Sequence, residues 1–465
     1  MPEFDVIVIG AGPAGENAAG RVAAGGLSTA IVERELIGGE CSYWGCIPSK
    51  TLIRPGDVIA AARRVPGAAE AVTGTIDVPA ALAQRDYMTS NWHDAGQVPW
   101  LDENQIALFR GTARLTGPRT LEVTGADGDV QTLTARRAVV LATGTTAFMP
   151  PIPGLADVQA WTNREVTALK DVPRRLLVLG GGAVGAEMAQ AVKRLGAEQV
   201  TVIEGAEHLL AREEPFAGQE VGAAFAAEGI TLLTGTRVTA AQRQPDGSVQ
   251  ATLNNGDVVT ADELLVAVGR RPATTDLGLE TVGLTPGQPV AVDERLLATG
   301  IDQTDGEWLY AIGDCNGVAL LTHMGKYQAR IAGDVILGKE ITDRSSRTAV
   351  PRVTFTDPQV CAVGLTEAQA REKGYTVRVV TTPTGGVAGA YTSGNGISGT
   401  SQLVVDLGRE VIVGATFTGP GTSELLHSAT IAIVGQVPLQ DLWHAVPSFP
   451  TISEVWLRLL EAYGL

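Results

Sequence analysis

Asp5-Val-Ile-Val-Ile-Gly10-Ala-Gly12-Pro13-Ala14-Gly15 is an apolar run that stops abruptly at a glycine-rich turn. A short, continuous apolar run bounded by such a turn reads as a strand buried on both faces, as in a parallel sheet. The alanine-rich stretch that follows predicts a helix, and Thr29-Ala-Ile-Val-Glu33 predicts a second strand that ends on an acid. A Gly-x-Gly-x-x-Gly alone would fit any tight turn. Strand before, helix after and acid about 20 residues on make it a dinucleotide fingerprint. The glycines let the backbone approach a pyrophosphate, the helix N-terminus offers unpaired N–H groups, and the acid accepts from a ribose hydroxyl.

The same pattern returns 170 positions later as Leu176-Leu-Val-Leu-Gly180-Gly-Gly182-Ala-Val184-Gly185, followed by Val200-Thr-Val-Ile-Glu204. Two complete units imply two dinucleotides in one chain.

At 465 residues the chain has room for roughly three domains of about 150 residues each. Hydrophobic residues make up 45% and charged residues 18%, an ordinary globular balance. A formal net charge of -16 repels polyanions, so no nucleic-acid partner is expected. The start, Met1-Pro2-Glu3-Phe4-Asp5, lacks the basic stretch of a secretory signal. No apolar run approaches the roughly 18–20 residues of a membrane helix. A cytoplasmic protein without membrane attachment is the expectation.

Pro150-Pro-Ile-Pro-Gly154 and the neighbourhood of Arg271-Pro272 read as joints. They suggest segments at 1–153, 154–276, 277–346 and 347–465. The third carries Leu309-Tyr-Ala-Ile-Gly313-Asp314, a short strand ending at a glycine and a carboxylate. The fourth mixes strands (Arg352-Val-Thr-Phe, Gln402-Leu-Val-Val-Asp, Val411-Ile-Val-Gly) with helices such as 424–434. Its glycine-rich run 381–399 reads as a loop or an edge hairpin.

Four cysteines are too few for a disulfide framework. Cys315 and Cys361 stand alone in apolar surroundings and read as packing residues. Cys41 and Cys46 lie together in Gly38-Gly-Glu-Cys41-Ser-Tyr-Trp-Gly-Cys46-Ile-Pro-Ser-Lys50. If the segment is helical, both sulfurs fall on one face, within reach of a disulfide. No further Cys or His follows at zinc-ligand spacing, so no metal site is expected.

Two dinucleotide units with a Cys-x4-Cys-x3-Lys segment in the first resemble the pyridine nucleotide-disulfide oxidoreductase family. The resemblance runs the full length. Val140-Leu-Ala-Thr143-Gly144 and Gly313-Asp314 are similar to the family's further FAD contacts. Val268-Gly269-Arg270-Arg271-Pro272 closes a nicotinamide domain, and Pro351-Arg-Val-Thr-Phe-Thr-Asp-Pro358 opens a dimer-interface domain. The implied fold is α/β, with two Rossmann-like domains for FAD and NAD(P) and an α+β C-terminal dimerisation domain.

The resemblance also implies roles. Gly10, Gly12, Pro13, Ala14, Gly15, Glu33, Thr143, Gly144, Gly313 and Asp314 would hold FAD. Gly180, Gly182, Val184, Gly185, Glu204 and Gly269 would hold the nicotinamide dinucleotide. Cys46 would face the flavin and Cys41 the substrate. Lys50 would sit by the flavin, paired with Glu187, as a fixed cation that stabilises negative charge there. Family members that use NADPH carry arginines at the position of Glu204 and six residues on, where Leu210 stands. Despite nearby Arg212, this favours NADH.

One motif departs from the family. The C-terminal His-Pro-Thr-x-x-Glu is replaced by Phe449-Pro450-Thr451-Ile-Ser-Glu454. Glu454 keeps its place in the catalytic motif, but phenylalanine cannot move a proton, and losing a general acid–base group typically costs about 100- to 10,000-fold. His444 and Tyr43 are the substitutes within the chain; His323 follows Gly313-Asp314 and would approach the flavin. Two branches, mercuric reductase and the large thioredoxin reductases, are set aside, because they carry extra C-terminal cysteines and this chain ends Glu461-Ala-Tyr-Gly-Leu465. The expected function is a homodimeric NADH oxidoreductase that passes electrons through FAD and Cys41–Cys46 to a small disulfide or other acceptor. Its alternatives are direct reduction of a quinone-like acceptor by the flavin, and a redox-sensing flavoprotein.

Overall fold

The computed structural model describes residues 2–302 and 306–465 and shows a mixed α/β protein. Its contacts divide it into two units. One gathers Met1–Pro48, Asp86–Phe148 and Arg270–Arg347; the other gathers Ser49–Arg85, Met149–Gly269 and Thr348–Leu465.

In the first unit the opening strand Glu3–Ile9 pairs in parallel with Thr29–Glu33 on one side and with Val130–Leu141 on the other. Ile106–Arg110 extends the sheet beyond Thr29–Glu33, and Leu309–Ala311 joins Val130–Leu141, also in parallel. The helix Pro13–Ala24 covers this sheet with Ala18, Ala19 and Val22 buried. Every residue of Val6–Ile9 is buried, which is why the run reads as continuous rather than alternating.

The second unit repeats the design. Ile230–Leu233, Gln199–Ile203, Arg175–Leu179 and Glu263–Val266 form a four-stranded parallel sheet in that order. The helix Ala183–Arg194 packs on it. Residues 348–465 supply a five-stranded antiparallel sheet, Arg352–Thr354, Gln359–Gly364, Val411–Gly419, Thr400–Asp406 and Val377–Pro383 in spatial order. The helices Leu426–Gly435 and Val455–Tyr463 lie against it.

Three local expectations change. The dithiol segment is not one helix: Gly39–Tyr43 ends at Trp44, and a new helix, Cys46–Arg63, begins two residues later. The helix placed at 424–434 spans Leu426–Gly435. The run 381–399 is neither loop nor simple hairpin, because it contains the helix Ala388–Ser393. A Cβ on Gly389 would lie 2.0 Å from the Thr451 carbonyl carbon, so that glycine serves a close approach rather than a flexible loop.

Candidate active site

Gly10 has φ +101°, and a Cβ there would sit 2.5 Å from the carbonyl oxygen of Ala142. A Cβ on Gly15 would lie 1.8 Å from the Gly10 carbonyl oxygen, so helix and strand can touch only without one. Gly12 caps the helix in extended conformation. Glu33, nearly buried, turns back onto the loop: Oε2 accepts from Ala11 N at 2.7 Å and Oε1 from Glu35 N at 2.7 Å.

The second fingerprint repeats this geometry within its own unit. Gly180 has φ +106° and would place a Cβ 2.6 Å from Ala267 O; a Cβ on Gly185 would lie 1.9 Å from Gly180 O. Nothing lies within 4 Å of a Cβ built on Gly182, which leaves an open cradle before the helix. Glu204 accepts from Gly181 N at 2.6 Å and Ala206 N at 2.7 Å. Val184 is half-exposed in the first turn of that helix, and Gly269 turns at φ +143°.

The dithiol lies in the first unit. Gly38 and Gly39 take positive φ, and a Cβ on Gly39 would lie 2.8 Å from Gly12 Cα, so the cysteine loop rests directly on the first fingerprint. Gly45 makes the turn between the short helix Gly39–Tyr43 and the long helix Cys46–Arg63. A Cβ there would stand 3.0 Å from Glu40 O and 3.3 Å from Cys41 Cα. That close approach folds Cys46 back onto Cys41. Both are free thiols within hydrogen-bonding reach of one another. The bond to Cys46, and then burial, hold the Cys41 thiol above the ordinary thiol range. Losing a proton from both sulfurs together is therefore costly.

The Thr322 hydroxyl, on the first residue of the helix Thr322–Ile336, stands 3.4 Å from Cys46 Sγ. Sequence reading missed it, since 276 positions separate it from Cys46 and no motif marks it. Cys315 and Cys361 are fully buried, and burial pushes each thiol up to about 12.

In the second unit Lys50 Nζ stands 2.6 Å from Glu187 Oε2 and 4.8 Å from the centre of the Phe355 ring. Phe355 N donates to the other Glu187 oxygen at 2.9 Å. Lys50 keeps about a third of its side-chain surface open, while Glu187 is buried. The cation is thus aimed outward from a fixed, buried anion.

The substitutes for a proton donor fare unequally. Tyr43 is buried and its hydroxyl donates to Ile37 O at 3.0 Å; burial raises its phenol further, so it is no acid for the sulfurs. His444 and His323 are both exposed. Phe449 is 78% exposed. Glu454 is buried and accepts from Gly389 N at 3.2 Å and Thr451 N at 3.3 Å, which ties the motif's backbone together. Among the described residues, no three His, Cys, Asp or Glu gather to hold a metal, and no helix is long and apolar enough to cross a membrane.

The residues fit two dinucleotides. Gly182 leaves open space before its helix, Gly12 stands at van der Waals distance from Gly39, and Glu33 and Glu204 each close back onto their own glycine loop. Beside the first, Thr143 Oγ1 is buried with no hydrogen-bond partner among the described residues, a hydroxyl that a bound group would satisfy. Asp314 accepts from Thr145 Oγ1 at 2.9 Å, and burial raises its carboxyl.

Residues 4–331 match the family described as pyridine nucleotide-disulphide oxidoreductase, and residues 350–459 match its dimerisation domain. The chain belongs to this family. It is 33% identical to a dihydrolipoyl dehydrogenase of Thermus scotoductus, over 99% of the chain and 98% of that protein. It is 30% identical to a mercuric reductase of Lysinibacillus sphaericus, over 97% of the chain and 81% of that protein. Among solved structures, the Cu(II) complex of the HOCl-induced flavoprotein disulfide reductase RclA from Escherichia coli superposes with TM-score 0.85, at 26% identity and 99% coverage of both chains. Membership makes this an oxidoreductase with FAD and NAD(P)H as cofactors, and the dimerisation domain supports a homodimer. Mercuric reductases, set aside on the cysteine count, are nonetheless among its relatives.

Proposed function

We propose that the protein uses NADH to reduce the Cys41–Cys46 pair, and that the pair passes electrons to a small thiol-reactive acceptor whose reduction needs no proton from the protein. The observation that supports this is a paired dithiol, Cys41 half-buried and Cys46 exposed, in a chain with Phe449 at the family's acid–base position. FAD, held by the first fingerprint with Thr143, Gly144, Gly313 and Asp314, supplies the two-electron relay between nicotinamide and sulfur. Glu204 prefers NADH, because a carboxylate accepts from a free ribose hydroxyl and repels a phosphate there. Lys50, fixed by Glu187, places positive charge where electrons arrive.

Cys41 is the outer thiol that meets the acceptor, and Cys46 closes the disulfide behind it. A disulfide of ordinary thiols must be protonated as it leaves, which is slow without an acid. A soft metal ion takes thiolates directly and releases no such leaving group. One relative is named mercuric reductase, and another, a disulfide reductase, is described as a Cu(II) complex, which supports a metal ion as an acceptor to test.

The test is NADH oxidation by the wild type and Cys41→Ser with three acceptors: Hg2+ or Cu2+, a small disulfide and a quinone. The proposal expects metal-ion turnover in the wild type, lost in Cys41→Ser. Unchanged turnover of every acceptor in the variant would sink the dithiol route and assign reduction to the flavin itself.

A further inference from the structure

Glu204 follows the strand Gln199–Ile203, and both of its oxygens are held by the loop it belongs to. One accepts from Gly181 N at 2.6 Å and the other from Ala206 N at 2.7 Å. Each oxygen keeps a lone pair for a ribose hydroxyl. The carboxylate cannot swing away from a phosphate without giving up these bonds. A charge fixed in this way repels a 2′-phosphate unless a cation stands beside it.

Arg237 supplies that cation. After the next strand, Ile230–Leu233, the chain returns to the same loop. Glu204 N donates to Leu233 O at 2.9 Å, Thr236 N to Glu204 O at 3.0 Å and Gly235 N to Ala206 O at 2.8 Å. Arg237 comes next, and Asn254 braces its backbone from both sides. The Asn254 side-chain oxygen accepts from Arg237 N at 3.1 Å, and Asn254 N donates to Arg237 O at 2.9 Å. The side chain runs beside Gly205, with Cγ and Nε each 3.8 Å from where a Cβ on that glycine would stand. Arg237 is exposed, and among the described residues no carboxylate pairs with its guanidinium. Arg174, Arg175, Arg194 and Arg243 of the same unit, by contrast, each hold a carboxylate at 2.9 Å or less. Arg212, exposed on the loop after Glu204, does not come within 4 Å of the Gly205 position.

We propose that Arg237 is a specificity-determining residue for the nicotinamide dinucleotide, offsetting the Glu204 charge and taking a 2′-phosphate, so that the site admits NADPH beside NADH. A guanidinium matches a phosphate with two parallel N–H donors, which a lysine cannot do. Glu204 reads the free hydroxyl and Arg237 the phosphate. The preference for NADH is narrowed but not reversed, since Glu204 keeps its place. Arg237 reaches the ribose end from beyond the following strand, outside the stretch from Glu204 to Leu210 where the family's NADPH arginines fall. The inference rests on reading the second fingerprint as the nicotinamide site.

The experiment is isothermal titration of the oxidised, FAD-loaded protein with 5′-AMP and 2′,5′-ADP, for wild type, Arg237→Gln and Arg237→Lys. The two probes differ only in the 2′-phosphate, and neither carries a nicotinamide, so no electron moves during the measurement. Arg237→Gln is expected to weaken 2′,5′-ADP about tenfold and to leave 5′-AMP within about twofold. That is the low end for a hydrogen bond between charged groups, because the site is open to water. The loss should shrink at high salt, which screens exposed charges. Arg237→Lys keeps the charge and should bind 2′,5′-ADP about threefold more tightly than Arg237→Gln. An unchanged ratio of the two dissociation constants in Arg237→Gln would overturn the inference. So would an equal loss of both probes, which makes Arg237 a prop for the loop. In both cases 5′-AMP binding by the wild type leaves the fingerprint reading standing. A wild type that binds neither probe would overturn that reading and this inference together.

Discussion

Lys50 and Glu187 meet at 2.6 Å, and Glu187 spends its other oxygen on the backbone N–H of Phe355. A buried carboxylate with two such partners is stable only while both remain. Lys50→Met is therefore expected to destabilise the protein by about 1–2 kcal/mol, the lower part of the range for losing a charged hydrogen bond, since Lys50 is partly open to water. Urea denaturation measures this. Rapid-mixing reduction of the bound FAD by NADH should slow in the same variant. Glu187→Gln, which keeps an oxygen for Phe355, should cost less stability than Lys50→Met.

Phe449→His restores the side chain that the motif lacks, and Glu454 is still present behind it. NADH-driven reduction of a small disulfide should rise at least about tenfold, within the span of general acid–base effects. Turnover of a metal ion should stay within about twofold of the wild type under the same principle. Equal gains for both acceptors would show that proton supply does not select between them.

Glu204 binds its own loop through Gly181 and Ala206. Glu204→Ala removes the ribose acceptor and the charge that repels a 2′-phosphate. The ratio of kcat/KM for NADH to that for NADPH should fall about 10- to 100-fold, the worth of one to two hydrogen bonds to a charged group. Steady-state assays with both nucleotides give the ratio directly.

Asp57 lies on the helix Cys46–Arg63, 3.3 Å from Arg194, which also holds Glu228 at 2.7 Å and Asp357 at 2.9 Å. Burial is the main cause that lifts its carboxyl from 3.8 to about 6, against Arg194 and with Asp357 adding to the rise. The folded protein therefore binds this proton more tightly than the unfolded chain. The group's contribution is fully present below the unfolded value and is lost as pH rises through about 6. Asp57→Asn should add about 1–2 kcal/mol near neutral pH and nothing at about pH 4. Chemical denaturation at the two pH values checks the sign.

The parallel sheets and both fingerprints were legible in the sequence because each constraint is local. Gly10 and Gly180 must turn at positive φ, Gly15 and Gly185 must let a helix touch a strand, and each acid follows at the end of the next strand. The dithiol was legible as a pair but not as a shape. The break at Gly45 depends on its approach to Glu40 and Cys41, a contact that helical spacing does not reveal. Thr322 was hidden for a different reason: folding alone brings residues 276 positions apart together. Tyr43 looked available in the sequence because nothing there shows a phenol already committed to Ile37.

Gly45 closes the turn by leaving out a side chain, so the approach of the two cysteine backbones is a dimension of the main chain, and the cysteine rotamers only choose the sulfur gap within it. Such a jaw has a fixed hinge. Substitutions at Ser42 or Trp44 can change how a guest enters, but the reach of the bite is bounded by the spine of the loop, and enlarging residue 45 would spring it open.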